Sequence, residues 1–408
     1  MKYVLRPLQP TGNGFNALFA GLGLLLALGL GAVLYIEHHG HIVTGMNNQV
    51  VWGLPHVFAV FLVVAASGAL NIASMASVFG KTEFKPLAPL SGVLAIALLI
   101  GGLMVLMLDL GRPDRLIIAM TYMNFKSIFA LNIFLYSGFV GFVVAYLWTM
   151  MERRMNRFTP LAGLMAFLWR MALTTGTGSI FGFLVARQAY DSALLAPLFI
   201  ALSLSYGLAV FLWVLMLSCQ AGNRPLGDAL VARLARLQVI FIAAGLYFVV
   251  VYHLTNMYFT KHHDFERFIL LEGGLYTLLF WLGQVVLGGV APLVLLLHPQ
   301  IGAMRRRVAA SAGLVILGGF SQMYVTIIGG QAFGLVLFPG YQVRSSFFDG
   351  VTAGYTSTLP EWLLGLGGVA AGALIVMVAL RTMGFLPERL DDKALGMESD
   401  THHAPATA

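Results

Sequence analysis

The sequence predicts an all-α integral membrane protein with about ten transmembrane helices. Three observations support this fold class: 59% of the 408 residues are hydrophobic, only 10% are charged, and the mean hydropathy is +0.85. Soluble domains carry about 25% charged residues, so this composition is typical of a polytopic helical membrane protein. The single cysteine, Cys219, excludes internal disulfides and ligation of an iron–sulfur cluster by this chain.

Apolar runs of about twenty residues are long enough to cross a bilayer. The sequence contains ten such runs, at 15–36, 50–79, 87–109, 126–150, 161–186, 194–219, 235–259, 270–298, 308–337 and 359–383. Runs two to five and six to nine predict two four-helix bundles, with the first and tenth helices peripheral. The fifth run contains Arg170 and the weakly helix-forming stretch 174–178, so a broken or re-entrant fifth helix is an alternative.

The distribution of lysine and arginine predicts the orientation in the membrane, because positive residues are retained on the cytoplasmic side. Sixteen of the 24 lie on the side of the N-terminus and seven on the opposite side, while Arg170 lies within a span. Both termini are therefore predicted to be cytoplasmic. Residues 1–14 form the N-terminal segment, 15–383 the membrane domain and 384–408 a polar tail that we expect to be disordered. The net charge of +7 follows this topology, so a nucleic-acid partner is not expected.

The densest polar motif is Leu-Asp-Leu-Gly-Arg-Pro-Asp-Arg at 108–115, directly after the third run. Charges at the end of a membrane helix must pair, reach water or bind a ligand, which makes them candidates for a functional site. One interpretation is a structural ion pair between Asp109 and Arg112. The other is a quinone site, in which the Arg112 guanidinium donates to a quinone oxygen and Asp109 exchanges the proton.

The predicted topology brings further polar residues to the same outer level. His56 lies near the outer start of the second helix and is either an interfacial histidine or a hydrogen-bond donor to a quinone oxygen. His253 and Glu272 lie near the outer ends of the seventh and eighth helices, and we expect them to contribute to cofactor binding. Polar residues at greater depth predict a proton path through bound water, with Asn132, Arg170 and Gln322 as its candidates.

Two metal-based alternatives follow from the histidines. His56 and His253 should lie at a similar depth and could ligate a haem axially, although the spans contain no second histidine pair. The outer loops at 37–41 and 261–266 are rich in histidine and carboxylates, which suit zinc or copper. Their spacing does not define a four-ligand geometry, so a solvated face is the simpler interpretation.

Four segments can be compared with known families: Trp-Gly-Leu-Pro-His at 52–56, Leu-Asp-Leu-Gly-Arg-Pro at 108–113, the spaced Trp281, Gly288 and Pro292, and Tyr-Thr-Ser-Thr-Leu-Pro-Glu at 355–361. Together they resemble the polysulfide reductase/NrfD family of membrane subunits. Within the family, the ten-helix plan and the stretch 44–49 are most similar to DsrP subunits of DsrMKJOP complexes in sulfur metabolism. The HybB subunits of hydrogenases are the next most similar.

The resemblance implies a subunit of a quinone-linked oxidoreductase in the bacterial inner membrane, without haem or an iron–sulfur cluster of its own. It implies menaquinone or ubiquinone bound near the outer face, beside a ferredoxin-like iron–sulfur partner, with coupled proton translocation as an option. By position, His56, Asp109 and Arg112 would belong to the quinone pocket. A secondary transporter and a passive membrane anchor of a redox complex are the alternative functions.

Overall fold

The computed structural model describes residues 4–298, 304–335 and 351–396, and it is almost entirely helical. Ten long helices correspond to the ten predicted runs: α1 Gly14–His39, α2 Leu54–Ser77, α3 Thr82–Leu108, α4 Ile128–Met151, α5 Thr159–Gly182, α6 Leu195–Ala221, α7 Asp228–Tyr258, α8 Leu275–Leu297, α9 Met304–Ala332 and α10 Leu359–Thr382. Shorter helical segments are His41–Val43, Pro113–Arg115, Leu116–Thr121, Arg153–Phe158, Thr260–His262, His263–Arg267, the π-helical Phe268–Glu272 and Asp392–Leu395.

Within the described ranges, nine of these long helices are long and apolar enough to cross a membrane, and α5 is the exception. The polar residues of α5 lower its hydropathy without breaking it, since it is α-helical from Thr159 to Gly182. The alternative of a broken or re-entrant fifth helix is therefore wrong for this structure. Its backbone groups are bonded within the helix, which is what a low-dielectric interior requires.

The helices form the two predicted bundles. In the first bundle α2 packs on α3, α3 on α4 and α4 on α5, and in the second α6 packs on α7 and α9 while α8 packs on α9. The bundles meet where α2 contacts α6 and α9 and where α5 contacts α6. Helix α10 packs against α1, α2 and α3, so α1 and α10 are peripheral to both bundles.

The first and the last described residues, Val4 and Gly396, lie at one end of the helices, which we call the inner end; the opposite end is the outer end. A two-stranded antiparallel sheet joins β1 (Leu5–Arg6) to β2 (Leu386–Pro387) at the inner end. The Arg224 guanidinium donates to the carbonyl oxygens of Leu386, at 2.6 Å, and of Pro7, at 2.7 Å. A membrane-crossing protein with an even number of helices has this arrangement.

The expectation of a disordered tail is wrong for residues 384–396. Phe385, Leu386, Leu390 and Leu395 are all buried, so this part of the tail is held by apolar contacts as well as by the strand pairing. The hydropathy pattern missed it because the apolar residues are separated by charged ones. Residues 397–408 lie outside the described ranges.

The starts of α7 and α8 differ from the hydropathy prediction for reasons that can be named. Helix α7 begins at Asp228, seven residues before the predicted start at 235, because its first turns are charged and face the inner end. Helix α8 begins at Leu275 rather than 270, because Gly274 has a φ of +57° that interrupts the helix. Glu272 therefore lies in the separate segment Phe268–Glu272 and does not begin α8.

Glycines allow the closest helix contacts. A Cβ at Gly68 of α2 would overlap the carbonyl of Ser203 in α6, and one at Gly207 of α6 would overlap the backbone nitrogen of Ala69. The two bundles therefore touch backbone to backbone at this point. Gly288 of α8 and Gly318 of α9 form a similar contact in the second bundle, as expected for small residues in membrane helices.

We predict that Gly207→Ala weakens the contact between the bundles. The added methyl must displace backbone atoms of α2, so the free energy of unfolding should fall by about 1–3 kcal/mol. Thermal unfolding of the detergent-solubilised protein measures the change. Gly23→Ala is the matched control, because a Cβ at Gly23 meets no atom within 4 Å; an equal effect of both substitutions would contradict the prediction.

Candidate functional site

His56 and Asp109 form a contact at the outer end of the first bundle. His56 lies in the first turn of α2, and Asp109 follows the last residue of α3. Their Nδ1 and Oδ2 atoms are 2.9 Å apart, and the Asp109 side chain is fully buried. Both residues were predicted to belong to the site, and the packing of α2 on α3 brings them together.

The contact leaves hydrogen-bonding capacity unused. Nδ1 of His56 and Oδ2 of Asp109 are in ion-pair contact, but neither these two atoms nor Asp109 Oδ1 has a hydrogen-bond partner among the described residues. A buried carboxylate without hydrogen bonds is costly, so the pair is poised to bind a polar group or a proton.

An aromatic wall lies beside the pair. The Trp52 ring stacks on the His56 ring with 6.2 Å between centroids and an interplanar angle of 26°. Phe129 and Phe181 flank the same indole at 5.7 Å and 5.9 Å. The site thus combines a buried acid, an imidazole and flat apolar surfaces, the combination expected for a ligand with a planar ring and polar oxygens.

Arg112 does not pair with Asp109, so the predicted ion pair between them is wrong. Its Nε donates to Asp114 Oδ1 at 3.0 Å and its terminal nitrogen to Oδ2 at 2.9 Å, and the Arg112 side chain is 63% exposed. These hydrogen bonds lower the pKa of Asp114. The backbone turns at Leu110 and Gly111 after α3 ends, which sends the arginine into the loop rather than back to the carboxylate.

Gln331 of the second bundle and Arg187, in the loop between α5 and α6, hold the backbone just before His56. The Gln331 Oε1 of α9 accepts from the backbone nitrogens of Val51 and Trp52, each at 3.0 Å. Arg187 donates to the carbonyls of Gln49, at 2.8 Å, and Gln331, at 3.0 Å. We call Gln49, Val51, Trp52, Arg187 and Gln331 the outer clamp. The sequence showed Gln331 near the outer end of α9 but gave no sign of Arg187.

Glu361 of α10 supports the same region from the other side. It is fully buried and accepts hydrogen bonds from the hydroxyl of Tyr355 at 2.6 Å and from the backbone nitrogens of Thr358 at 2.8 Å and Gly45 at 3.0 Å. The Tyr355 hydroxyl in turn accepts from the backbone nitrogen of Leu54, the first residue of α2, at 2.7 Å. The spacing of Thr358 and Glu361 is a capping-box signal that could have revealed this group.

His253 belongs to a different site. Its Nδ1 lies 2.7 Å from Glu266 Oε2, and Asn256 donates to Glu266 Oε1 at 2.8 Å. This second histidine–acid pair is at the outer end of the second bundle, where α7 leads into the short helix His263–Arg267. Sequence reasoning missed Glu266, because it ends a charged run that was interpreted as a solvated face.

Glu272 is placed at the surface rather than in either pair. It forms an ion pair with Arg267 at 2.7 Å, and both side chains are more than half exposed. The structure therefore does not bring Glu272 to His56 or Asp109. The two histidines proposed as axial haem ligands each contact an acid of their own bundle.

The three candidates for one proton path are not brought together. Arg170 of α5 donates to the Ser67 carbonyl at 3.3 Å and to Asn71 Oδ1 at 3.0 Å. Asn132 donates to the Gly176 carbonyl at 3.2 Å, also within the first bundle.

Gln322 instead lies in the second bundle, where its Oε1 accepts from the Tyr206 hydroxyl at 2.7 Å. The predicted path therefore divides between two bundles. Among the described residues, no group of three or more histidine, cysteine or acidic side chains could hold a metal ion, which includes the outer loops at 37–41 and 261–266.

Comparisons with known proteins agree with this architecture. The chain is 29% identical over 387 residues to the Hdr-like menaquinol oxidoreductase integral membrane subunit of Archaeoglobus fulgidus, with coverage of 92% of this chain and 96% of that protein. It is 28% identical to a putative dimethyl sulfoxide reductase membrane subunit of Halobacterium salinarum, with coverage of 91% and 93%. It is also 28% identical to one of the polysulfide reductase chains of Wolinella succinogenes, with coverage of 70% and 96%.

The family resemblance in the sequence motifs is confirmed. The model of the family described as polysulphide reductase, NrfD, matches residues 42–335, a range that contains α2 to α9 and both histidine–acid pairs. The chain belongs to the polysulphide reductase, NrfD, family.

Proposed function

We propose that this chain is the quinone-binding membrane subunit of an oxidoreductase complex, with the His56–Asp109 pair as its quinone site. The observation that carries the proposal is the buried Asp109 carboxylate, which lies against the His56 imidazole near the Trp52 indole and accepts no hydrogen bond from the described residues. The names of two relatives, a menaquinol oxidoreductase subunit and a polysulfide reductase chain, support a quinone-linked function.

The residues present fit a quinone head group. The Trp52 face and Phe129 offer apolar surface to a planar ring, and His56 offers a donor or acceptor to a ring oxygen. Asp109, buried against Nδ1, stabilises the imidazolium that forms when His56 accepts a proton. Bound quinol would supply two electrons and two protons on oxidation, and bound quinone would accept them on reduction.

Each residue has a defined task in this chemistry. His56 would exchange a proton with the quinone oxygen that it contacts, and Asp109 would stabilise the positive charge on the imidazole until the proton leaves. The hydrogen bonds within the outer clamp, together with the one from Leu54 to Tyr355, fix the backbone that leads into His56. Arg112, exposed and paired with Asp114, lies in the loop and is not assigned a step.

A quinone exchanges its electrons with a second redox group. This chain cannot ligate an iron–sulfur cluster by itself, because Cys219 is its single cysteine and is buried near the inner end of α6. The proposal therefore includes an iron–sulfur partner subunit at the outer end, close to the His56 site. With the predicted orientation, this partner would lie on the periplasmic side of a bacterial inner membrane. Menaquinone and ubiquinone both fit the proposed pocket chemistry.

We predict that Asp109→Asn and His56→Ala each lower quinol-linked electron transfer by about 10²-fold or more, since each removes part of the acid–base pair. Turnover of the purified complex with a soluble menaquinol analogue measures this loss. Asp114→Asn is the control, because Asp114 is an exposed carboxylate in the loop that follows Asp109. Full turnover in Asp109→Asn would support a passive anchor instead.

We predict that Tyr355→Phe weakens quinone binding without contacting the quinone. The substitution leaves the Leu54 nitrogen and Glu361 each without one hydrogen bond, which costs about 1–3 kcal/mol and loosens the start of α2. Quenching of a fluorescent quinone-site inhibitor should show a higher dissociation constant, together with a lower unfolding temperature. Phe129→Leu is the comparison, because it changes the wall of the site without touching this support; unchanged binding in Tyr355→Phe would contradict the role of Tyr355.

A further inference from the structure

We propose that the second bundle contains the outer half of a transmembrane proton path, in which Glu266 accepts and releases the proton. This inference rests on the proposed function, because it separates the place where protons move from the place where quinone binds. It also replaces the predicted path through Asn132, Arg170 and Gln322, of which only Gln322 lies in the second bundle.

The head of the path is a buried carboxylate with two polar partners. Glu266 is 2% exposed, and its two oxygens are occupied by His253 and Asn256 at 2.7 Å and 2.8 Å. The imidazole of His253 and the carboxylate of Glu266 can share one proton. The Asn256 amide can donate to Glu266 Oε1 whether the proton is on the histidine or on the acid. The pair lies where α7 reaches the outer end, so water at that end is the source of the proton.

Water-sized cavities continue from this pair into the bundle. The outer cavity is lined by His253, Gln284, Gln322 and Thr326, and the inner one by Gln284, Gln322, Tyr206 and Ser205. The two cavities share Gln284 and Gln322 and are therefore consecutive. Each has room for about two water molecules, and the polar side chains supply the hydrogen bonds that such waters need.

The depth of these residues follows from their helix positions. At about 1.5 Å per residue, His253 lies about 8 Å and Gln322 about 15 Å from the outer ends of α7 and α9. The path thus reaches from the outer end to about the middle of a hydrocarbon layer that is about 30 Å thick.

Three π-helical segments surround the outer cavity. They are Phe268–Glu272, Leu279–Val290 and Val325–Gly329, and each contributes at least one residue to the cavity wall. A π-helix has a wider turn than an α-helix and is concentrated at functional sites in proteins. Three such segments around one cavity are an observation independent of the Glu266 contacts, and they point to the same place.

The path ends inside the bundle. Below the cavities, the Gln238 amide donates to the Ser205 carbonyl at 3.1 Å and to its hydroxyl at 3.3 Å. Nearer the inner end, the buried residues of α6 and α7 are mostly aliphatic and include Leu212, Leu215, Leu230, Val231 and Leu234. This is why we assign an outer half of a path rather than a complete one.

The first bundle is less suited to carry protons at this depth. Arg170 is a buried cation near the middle of α5, and its guanidinium donates to Ser67 and Asn71, neither of which is acidic. A fixed positive charge in a low-dielectric interior raises the energy of a passing proton. The electrostatics therefore favour the second bundle.

The test measures protons and electrons in the same sample. The complete complex is reconstituted in liposomes with an entrapped pH-sensitive dye, and a soluble menaquinol analogue starts turnover. Quinol oxidation at His56 itself releases one proton per electron, so the quantity of interest is the number of protons moved per electron beyond that one. We expect Glu266→Gln to lower this number by about tenfold or more, because an amide cannot accept the proton. Asp264→Asn is the matched control, since Asp264 is an exposed acid on the same short helix.

A second variant covers the case in which Glu266→Gln does not assemble. Gln322→Leu removes a polar residue shared by both cavities and should lower the same ratio. A wild-type ratio in both variants, or no proton movement by the wild-type complex, would overturn the path. Absence of electron transfer in the wild type would instead contradict the proposed quinone function, so the two failures are distinguishable.

Infrared spectroscopy of the purified protein gives a readout that does not depend on turnover. Lowering the pH should produce the band of a protonated buried carboxyl group in the wild type and in Asp264→Asn. Asp109 and Glu361 are also buried carboxyl groups, so the signal of Glu266 is obtained as the wild-type spectrum minus the Glu266→Gln spectrum, which should contain such a band. A spectrum of Glu266→Gln identical to that of the wild type would show that Glu266 does not take up the proton.

Discussion

The structure depends on hydrogen-bond partners for the buried N–H and C=O groups of the irregular segment that joins α1 to α2. A non-helical segment beside a bilayer cannot use water for its buried polar groups, so the rest of the protein must supply partners. Gln331 supplies them from the second bundle and Arg187 from the loop between α5 and α6. Tyr355 and Glu361 supply them at the start of α10. The same contacts that solve this problem also fix the positions of Trp52 and His56.

Each bundle carries one histidine–acid pair at its outer end, and the two pairs have different surroundings. His56 and Asp109 lie against aromatic rings, and neither Asp109 oxygen is hydrogen-bonded among the described residues. Glu266 has hydrogen-bond partners on both oxygens, and one of these partners, His253, lines a water-sized cavity. A carboxylate that can still accept hydrogen bonds, next to aromatic rings, suits a ligand with a planar ring. A carboxylate that is already hydrogen-bonded, next to polar cavities, suits proton exchange. This difference supports assigning quinone to one pair and protons to the other.

Hydropathy predicted all ten helices because burial in lipid imposes a strong compositional signal, and it identified His56, Asp109 and His253 as polar groups at helix ends. Pairing was not predictable, because it depends on which helices pack together. Arg112 was matched to Asp109 by closeness in sequence, yet the turn after α3 separates them. Glu266 was not predicted, because it lies among charged residues that are typical of a solvated face. The short helix His263–Arg267 buries its side chain.

Helix α9 connects the two sites physically. Near its outer end Gln331 binds the backbone of Trp52, and nine residues earlier Gln322 lines both cavities of the second bundle. The π-helical segment Val325–Gly329 lies between these two glutamines. Since a π-helical turn is less tightly wound than an α-helical one, the part of α9 between the sites is the part best able to change register. A ligand at His56 that displaced Trp52 would therefore act directly on α9, through the hydrogen bonds between Gln331 and the backbone of Trp52.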